Sequence, residues 1–391
     1  MPQFKGNIKS KLPQVGTTIF AIMSGLANEV GAINLSQGFP GFDVAPELIS
    51  LVNKYMKKGL NQYAPMPGVP ILRERLAEKM EKMYSIRYNP ETEITITAGG
   101  TQALYAAIAA FITEGDEVII FEPCYDSYIP AIELAGGIPV HVQLQPPLYG
   151  IDWNEVKKLI NHRTKMIMIN TPQNPTGTIL SASDLLHLEK LTNSSDIIVL
   201  SDEVYEHIIF DGYEHQSVAM YPKLAERSLI VYSFGKTFHA TGWKSGYCIG
   251  PENLMKEFRK VHQFMVFSVN TPLQHALAEY LLDENNYNGL SKFYQEKRDY
   301  FQSLLKDSAF EILPCYGSYF QLLDYSAITI AKDTEFAISL TKEHAVASIP
   351  ISVFYNKPID NKLLRFCFAK ENDQLEKAAE YLCKIKPHNE K

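Results

Sequence analysis

The sequence has few of the features that mark disulfide-rich, membrane-spanning or nucleic-acid-binding proteins. Its five cysteines among 391 residues are widely spaced without a C-x-x-C pair, so neither a disulfide framework nor a zinc site is expected. No apolar run approaches the roughly 20 residues that cross a bilayer, and no apolar N-terminal segment predicts a signal peptide. Lysine and arginine total 37 against 44 acidic residues, a net charge of −7, which argues against nucleic acid as a partner. We therefore expect a cytoplasmic protein that binds neither nucleic acid nor a membrane.

Several catalytic motifs are also missing. The 10 histidines form no H-x-x-x-H pair, so we expect no metal site and no metal hydrolase. A G-x-G-x-x-G fingerprint is absent, which argues against a dinucleotide-binding enzyme. The triplet GKT includes Gly235 and Lys236, but a P-loop would also need glycine at position 230, where the chain has Ile230.

The residues that are present predict a large α/β protein. The composition of 46% hydrophobic and 21% charged residues is ordinary for a globular protein. Because a single core stops growing at about 250–300 residues, two domains are expected. Over residues 46–275, short β-branched runs alternate with helical segments, which predicts a mostly parallel, doubly wound sheet with helices on both faces. The pattern of residues 276–391 indicates a smaller α+β unit, and residues 273–305 predict one long helix.

Two segments carry side chains that suggest chemistry at the ends of predicted strands. Lys236 follows a strand in a glycine-containing turn, where it would be a phosphate ligand, a Schiff-base amine or a plain surface lysine. Asp202 ends a buried strand, where a carboxylate needs a cationic partner unless it caps a helix. Tyr205 follows three residues later.

Other segments are ambiguous when taken singly. Asn174 lies in the tight loop NTPQNPTG, which is either functional or a simple turn. Gly99, Gly100 and Thr101 join a strand to a helix, which forms either a phosphate cradle or an ordinary loop. Arg365 lies in the apolar stretch LLRFCF, which favours a buried role facing a ligand over a surface ion pair.

Together, in this order and spacing, the segments resemble the fold-type I pyridoxal-phosphate enzymes of the class I/II aminotransferase superfamily. The resemblance runs from INLSQGFP to LRFCFAK. The motifs NQYAPMPGVPILR, PCYDSY, NTPQNPTG, SDEVYEH and SFGKTFHATGWKSGY look most like the branch that contains methionine aminotransferases and kynurenine/glutamine-K transaminases. The resemblance also implies that residues 1–45 join residues 276–391 in one discontinuous small domain, beside a large cofactor-binding domain of residues 46–275.

The resemblance implies a complete cofactor site for pyridoxal 5′-phosphate. Lys236 would hold the cofactor as a Schiff base and then act as the proton-transfer base. Asp202 would pair with the ring nitrogen and keep it protonated, which makes the ring an electron sink. Tyr205 and Asn174 would contact the ring hydroxyl oxygen, and Tyr125 would stack on the ring face. The phosphate would be held by Gly100, Thr101, Ser233 and Lys244. Many relatives have arginine where this chain has Lys244, which would keep the charge but lose the forked geometry.

The resemblance also implies the substrate contacts and the assembly. Arg365 would hold the substrate α-carboxylate in a bidentate pair, with Asn174, Gly38 and Phe39 beside it. Tyr63 would reach the phosphate of the other subunit, so a homodimer with shared active sites is expected.

The predicted activity is transamination between an amino acid and a 2-oxo acid by a ping-pong route. The abundance of aromatic residues in the matching segments would suit methionine, aromatic amino acids, kynurenine or glutamine as the amino donor, and the family resemblance favours methionine among them. Two alternatives remain open at this point. The same cofactor would support a cysteine-conjugate C–S β-lyase, and a non-catalytic regulator would use the fold without the chemistry.

Overall fold

The computed structural model describes residues 2–357 and 359–388. Its strands are β1 (Ile33–Asn34), β2 (Ile94–Thr97), β3 (Glu117–Glu122), β4 (Ile138–Gln143), β5 (Thr164–Asn170), β6 (Ile198–Asp202), β7 (Ser228–Ser233), β8 (Gly246–Ile249), β9 (Glu311–Ile312), β10 (Phe320–Asp324), β11 (Val346–Ala347), β12 (Ile349–Pro350) and β13 (Leu363–Cys367).

The helices surround these strands and have recognisable start signals. They are α1 (Ile19–Val30), α2 (Pro46–Lys57), α3 (Pro70–Tyr84), α4 (Gly100–Phe111), α5 (Tyr128–Leu134), α6 (Trp153–Leu159), α7 (Ala182–Thr192), α8 (Pro222–Ala225), α9 (Phe234–Thr237), α10 (Glu252–Met265), α11 (Thr271–Tyr280), α12 (Asn285–Asn288), α13 (Leu290–Leu304), α14 (Asp333–His344) and α15 (Asn372–Cys383). At the start of α7, Ser181 and Asp184 form a capping box that satisfies two backbone N–H groups. None of the helices among residues 2–357 and 359–388 is long and apolar enough to cross a membrane.

The central sheet has seven strands in the order β2-β8-β7-β6-β5-β3-β4. Strands β4, β3, β5, β6 and β7 run parallel, and β8 runs antiparallel to both of its neighbours, β7 and β2. Every residue of β3 and of β6 is buried, as expected where helices cover both faces of a parallel sheet. The predicted mostly parallel α/β sheet is therefore confirmed.

Alternating side chains of the strands feed two separate cores. In β3, Val118 and Ile120 pack on one face with α4, α5 and α10, whereas Ile119 and Phe121 pack on the other face. This alternation follows from the two-residue period of a strand. The second core continues into the C-terminal part of the chain, where it includes Phe366.

A second, four-stranded sheet lies in the C-terminal part, in the antiparallel order β12-β13-β10-β9. The N-terminal segment reaches this region, because β1 pairs in parallel with β11. The division of the chain into residues 46–275 and residues 1–45 plus 276–391 stays a prediction.

The predicted single helix over residues 273–305 is wrong. The segment forms α11, α12 and α13, with a break after Tyr280. The Asp283 carboxylate accepts hydrogen bonds from the Asn285 backbone and side-chain N–H groups, at 3.0 and 2.9 Å, and the Asn286 amide donates to the Tyr280 carbonyl at 2.7 Å. These short polar side chains compete with the helix for backbone hydrogen bonds, and an amphipathic pattern does not show that competition.

The sheet brings three polar residues to one edge. Asn170 ends β5 directly beside Asp202, which ends β6, and Ser233 ends the next strand, β7. Ligands of open parallel sheets bind outside the carboxyl ends of the strands, so this edge is where a ligand site is expected.

Candidate active site

A pocket opens at the carboxyl ends of β5, β6 and β7. Its walls come from six parts of the chain and contain polar groups of several kinds. They are Gly99, Gly100, Thr101, Leu104, Tyr125, Asn170, Asn174, Asp202, Val204, Tyr205, Ser233, Gly235, Lys236, Thr241, Lys244 and Ser245. The pocket therefore gathers a half-buried amine, a buried carboxylate and a group of hydroxyls.

Lys236 extends into the pocket from α9, the short helix that follows β7. Its Nζ donates hydrogen bonds to the Gly38 carbonyl at 3.1 Å and to the Tyr319 hydroxyl at 2.9 Å. Burial lowers the pKa of Lys236 to about 8, because the charged ammonium is poorly solvated there. A substantial fraction of this amine is neutral near pH 7.5, as a nucleophile or a base requires.

Asp202 faces the same pocket and is almost completely buried. Its Oδ2 accepts a hydrogen bond of 2.6 Å from the Tyr128 hydroxyl, and its Oδ1 accepts one of 3.4 Å from the Val204 backbone. Burial raises the pKa of Asp202 to about 6, against the opposing effect of the Tyr128 bond. The group is mostly ionised at neutral pH, and a cationic group of a ligand in the pocket would compensate its charge.

Tyrosines line the space between these two groups. Tyr205 is buried, and Lys236 Nζ lies 5.5 Å from its ring centroid. The Tyr125 hydroxyl is 3.2 Å from Thr101 Oγ1. Burial raises the pKa of both Tyr205 and Tyr125, so both phenols keep their protons and act as neutral hydrogen-bonding groups.

One end of the pocket has groups that typically bind an anion, namely two glycines, the N-terminus of a helix and a lysine. Gly99 has φ of +89°, a conformation that favours glycine, and α4 begins at the next residue with its free N–H groups. A Cβ on Gly100 would lie 3.0 Å from Val204 Cγ1, so a side chain there would crowd the wall. Lys244 supplies positive charge beside this helix end, and its Nζ would be 3.6 Å from a Cβ on Gly99.

Ser245 provides an independent indication that a polar ligand belongs at this end. Its Oγ is buried without a hydrogen-bond partner among residues 2–357 and 359–388, and the residue lines the pocket beside Ser233. A buried hydroxyl without a partner is costly, and an anionic oxygen would satisfy it.

Arg365 lies on β13, with 1% of its surface exposed. Its NH1 donates to Asn174 Oδ1 at 2.6 Å, and its NH2 donates to the Ser36 carbonyl at 3.1 Å. In the described part of the chain its Nε is buried without a partner. Burial lowers the pKa of Arg365 to about 10, so the guanidinium is still charged at neutral pH. Among residues 2–357 and 359–388, no carboxylate forms a hydrogen bond with it.

Three aromatic rings surround this guanidinium. Arg365 Cζ lies 4.0 Å from the ring centroid of Phe320, 5.1 Å from that of Phe354 and 5.4 Å from that of Phe20. Phe20 and Phe354 also contact each other edge to face at 6.0 Å. The cation therefore lies in an apolar enclosure whose parts come from α1, β10 and the turn after β12.

The pocket lining includes every residue predicted for the cofactor except Tyr63, whereas Gly38, Phe39 and Arg365, which were predicted for the substrate, lie outside that lining. Gly38 meets Lys236 through its carbonyl oxygen. Phe39 is 45% exposed and lies at a separate cavity, where its carbonyl accepts a 2.9 Å bond from Lys370 Nζ. Tyr63 is 81% exposed, and its ring contacts Phe267 at 5.2 Å.

Sequence reasoning missed residues that bond to the main side chains. Tyr128, Tyr319 and Ser36 contact Asp202, Lys236 and Arg365, and each lies more than 70 positions away from its partner. Tyr128 is part of the motif PCYDSY, and the second tyrosine of that motif is a signal by which the residue could have been found. Ser36 is part of the motif INLSQGFP and could have been found in the same way, whereas Tyr319 lies in none of the quoted motifs.

Similarity to known proteins extends over most of the chain. A profile of the family described as "Aminotransferase class I and II" matches residues 30–382. The chain is 51% identical to a methionine aminotransferase of Escherichia coli strain K12, over 96% of this chain and 97% of that protein. It is 34% identical to a kynurenine–oxoglutarate transaminase of Dictyostelium discoideum, over 95% of this chain and 94% of that protein.

A solved structure is similar over the same extent. It is that of YbdL from Escherichia coli, whose crystal structure and reactivity identify a methionine aminotransferase function. The two structures superpose with a TM-score of 0.95 at 50% identity, over 97% of this chain and 100% of that one.

Proposed function

Because the chain belongs to the class I and II aminotransferase family, we propose that it transfers the amino group of methionine to a 2-oxo acid with pyridoxal 5′-phosphate as cofactor. The family resemblance and the transaminase activity predicted from the sequence are confirmed. The alternative of a non-catalytic regulator is therefore wrong. The cofactor, the individual site residues and the preferred donor are the parts of the proposal that experiments must test.

The observation that carries the proposal is a lysine amine whose pKa is lowered to about 8, in one pocket with a buried carboxylate. The family uses pyridoxal phosphate, and the residues present fit that group. Lys236 matches its aldehyde, Asp202 its ring nitrogen, and the helix end with Lys244 and Ser245 its phosphate. When bound, the cofactor withdraws electrons from the substrate α-carbon and so makes its proton acidic.

The other pocket residues would orient that group. Tyr205 and Asn174 would contact the ring hydroxyl oxygen, Tyr125 would cover the ring face, and the hydroxyls of Thr101 and Ser233 would reach the phosphate. Each of these groups is held by a different element of the fold, so the pocket is shaped before a ligand arrives.

Lys236 would move the proton that transamination requires. Its low pKa leaves the amine able to take a proton from the substrate α-carbon and to return it at another atom. The bonds from Nζ to the Gly38 carbonyl and to the Tyr319 hydroxyl hold the free amine at the pocket wall.

Arg365 would bind the α-carboxylate and thereby orient the substrate. A bidentate carboxylate would compensate the buried charge and satisfy the unpartnered Nε. The rings of Phe20, Phe320 and Phe354 enclose the same place and favour an apolar side chain. Thioether sulfur packs well against aromatic rings, and the relative from Escherichia coli that is 51% identical is a methionine aminotransferase.

A panel of amino donors tests the substrate. With one 2-oxo acid acceptor at fixed concentration, we expect kcat/KM to be highest for methionine, with phenylalanine, kynurenine and glutamine next. Aspartate should be at least about tenfold poorer, because Arg365 would already pair with its α-carboxylate. The second carboxylate would lie against the rings of Phe20, Phe320 and Phe354, over which no other cation lies within the described ranges. The measurement is initial rates of 2-oxo acid formation from each donor.

The comparison of aspartate with methionine decides the outcome. Aspartate clearly ahead of both methionine and phenylalanine would show that the enclosure around Arg365 does not select the side chain. Omitting the acceptor is the control, because a ping-pong transaminase then stops after one half-reaction.

We also propose a homodimer in which Tyr63 reaches the phosphate of the partner subunit. Tyr63 lies in a group of exposed apolar side chains with Phe264, at 87% exposure, and Phe267, at 52%. The start of α4, which forms the phosphate end of the pocket, lies beside the segment that carries Phe264 and Phe267. Gln102 on α4 contacts both His262 and Met265 of that segment. An exposed apolar patch of this kind is typical of an interaction surface.

Subunit mixing tests the shared site. Tyr63→Ala should lower activity about tenfold at limiting cofactor, since a phosphate contact is lost. Mixing it with inactive Lys236→Ala should raise activity several-fold above that of either variant, because each mixed dimer regains one intact site. The measurement is activity after refolding of the mixture, with the separately refolded variants as controls. Absence of any gain, or a monomer in sedimentation, would contradict the proposal.

A further inference from the structure

A buried tyrosine outside the predicted site bonds to the carboxylate at its centre. Tyr128 is the first residue of α5 and is 3% exposed. Its hydroxyl donates to Asp202 Oδ2 at 2.6 Å, and its ring contacts that of Tyr125 edge to face at 5.7 Å. The bond joins α5 to the end of β6 across the base of the pocket.

The surroundings of Asp202 make this bond important for its charge. Burial favours the neutral acid and raises its pKa, and the neighbouring carboxylate of Glu203 acts in the same direction. The hydroxyl of Tyr128, the Val204 N–H and the Lys236 ammonium favour the ionised form. Burial also raises the pKa of Tyr128 well above its usual range, so its hydroxyl remains a donor throughout the working pH range.

We propose that Tyr128 is a positioning residue that keeps Asp202 ionised and oriented toward the ring nitrogen of the cofactor. This inference rests on the proposed use of pyridoxal phosphate. A hydrogen bond to a carboxylate is about twice as strong as one between neutral groups. Without it, burial neutralises more of Asp202 at pH 7, and a neutral acid pairs poorly with a protonated ring nitrogen.

The test compares two ligands on the apoprotein. One is pyridoxal phosphate, and the other is its analogue with carbon in place of the ring nitrogen. For Tyr128→Phe we expect the dissociation constant of pyridoxal phosphate at pH 7 to rise about tenfold or more, while that of the analogue stays near the wild-type value. The pH at which affinity for pyridoxal phosphate declines should move upward, because Asp202 becomes neutral at higher pH.

A matched variant separates this effect from loss of packing. Tyr88 is also a buried tyrosine, and its hydroxyl has no hydrogen-bond partner within the described ranges. Tyr88→Phe should leave both affinities and the pH profile unchanged. Equal weakening of the two ligands by Tyr128→Phe would mean a structural role only, and unchanged affinity for both would overturn the proposal.

The wild-type protein gives a second measurement that does not depend on the folding of a variant. Its preference for pyridoxal phosphate over the analogue should decline as the pH falls through about 6, where Asp202 takes up a proton. A preference that stays constant from pH 5 to pH 8 would contradict the role of an ionised Asp202. A Tyr128→Phe variant whose preference matches that of the wild type at every pH would contradict the role of Tyr128. Failure of the wild-type protein to bind pyridoxal phosphate at all would instead refute the proposed cofactor.

Discussion

Replacement of Lys236 by alanine is expected to abolish transamination. The residue supplies both the amine that holds the cofactor and the base that moves the substrate proton. Removing a general base alone costs about 10²–10⁴-fold in rate, and the loss of covalent attachment adds to it. Initial rates with methionine should fall below detection, and the visible absorbance of the lysine-bound cofactor should be lost.

Lys297→Ala is the matched control. Burial also lowers the pKa of Lys297, but that lysine packs on Phe42 and Phe293, outside the pocket. Its replacement should leave the absorbance and the rate close to the wild-type values. Full transamination by Lys236→Ala would refute the assignment of the lysine.

Replacement of Arg365 by lysine is expected to impair substrate binding while leaving the cofactor in place. Lysine keeps the charge but loses the planar fork that pairs with a carboxylate. It also cannot reproduce both bonds to Asn174 and Ser36. Truncation of a buried, hydrogen-bonded charge contact costs about 2–5 kcal/mol. We therefore expect kcat/KM for methionine to fall about 10²-fold or more, mainly through KM.

Arg298→Lys provides the comparison for this substitution. Arg298 is also buried and stacked, with Cζ 4.7 Å from the ring centroid of Phe210, but it pairs with Asp211 away from the pocket. Its replacement should lower thermal stability and leave KM unchanged. The prediction for Arg365 fails if the methionine KM of Arg365→Lys equals that of the wild type. Cofactor titration of both variants shows whether the pocket is intact.

Much of the fold and of the pocket could be predicted because their signals are local. Buried strands such as β3 are short apolar runs. Asp202 ends such a strand, and Lys236 and Asn174 each follow one within a few residues. Local patterning was insufficient where side chains compete with the backbone. The break after Tyr280 depends on polar bonds made by Asp283 and Asn286, which an average over helical periodicity cannot reveal.

The positions of Phe39 and Tyr63 depend on tertiary packing, which motif matching does not show. The resemblance assigns Phe39 to the substrate and Tyr63 to the partner's phosphate, and both assignments stay predictions. Within one chain, Phe39 lies at a separate cavity and Tyr63 is largely exposed. Motif matching identifies residue types at corresponding positions, but which surface a side chain faces depends on the packing around it.

The order of the motifs along the chain was enough to determine the family and the transaminase activity, and the alternation of short β-branched runs with helical segments was enough to determine the α/β class. Those properties depend on residues close to strand ends, and strand ends are visible as local patterns. The polar contacts around the reactive groups were decided only by the tertiary structure. Tyr128 reaches Asp202 and Tyr319 reaches Lys236 across 74 and 83 positions of sequence. Burial, which lowers the pKa of the lysine and raises that of the aspartate, exists only once those distant segments pack together.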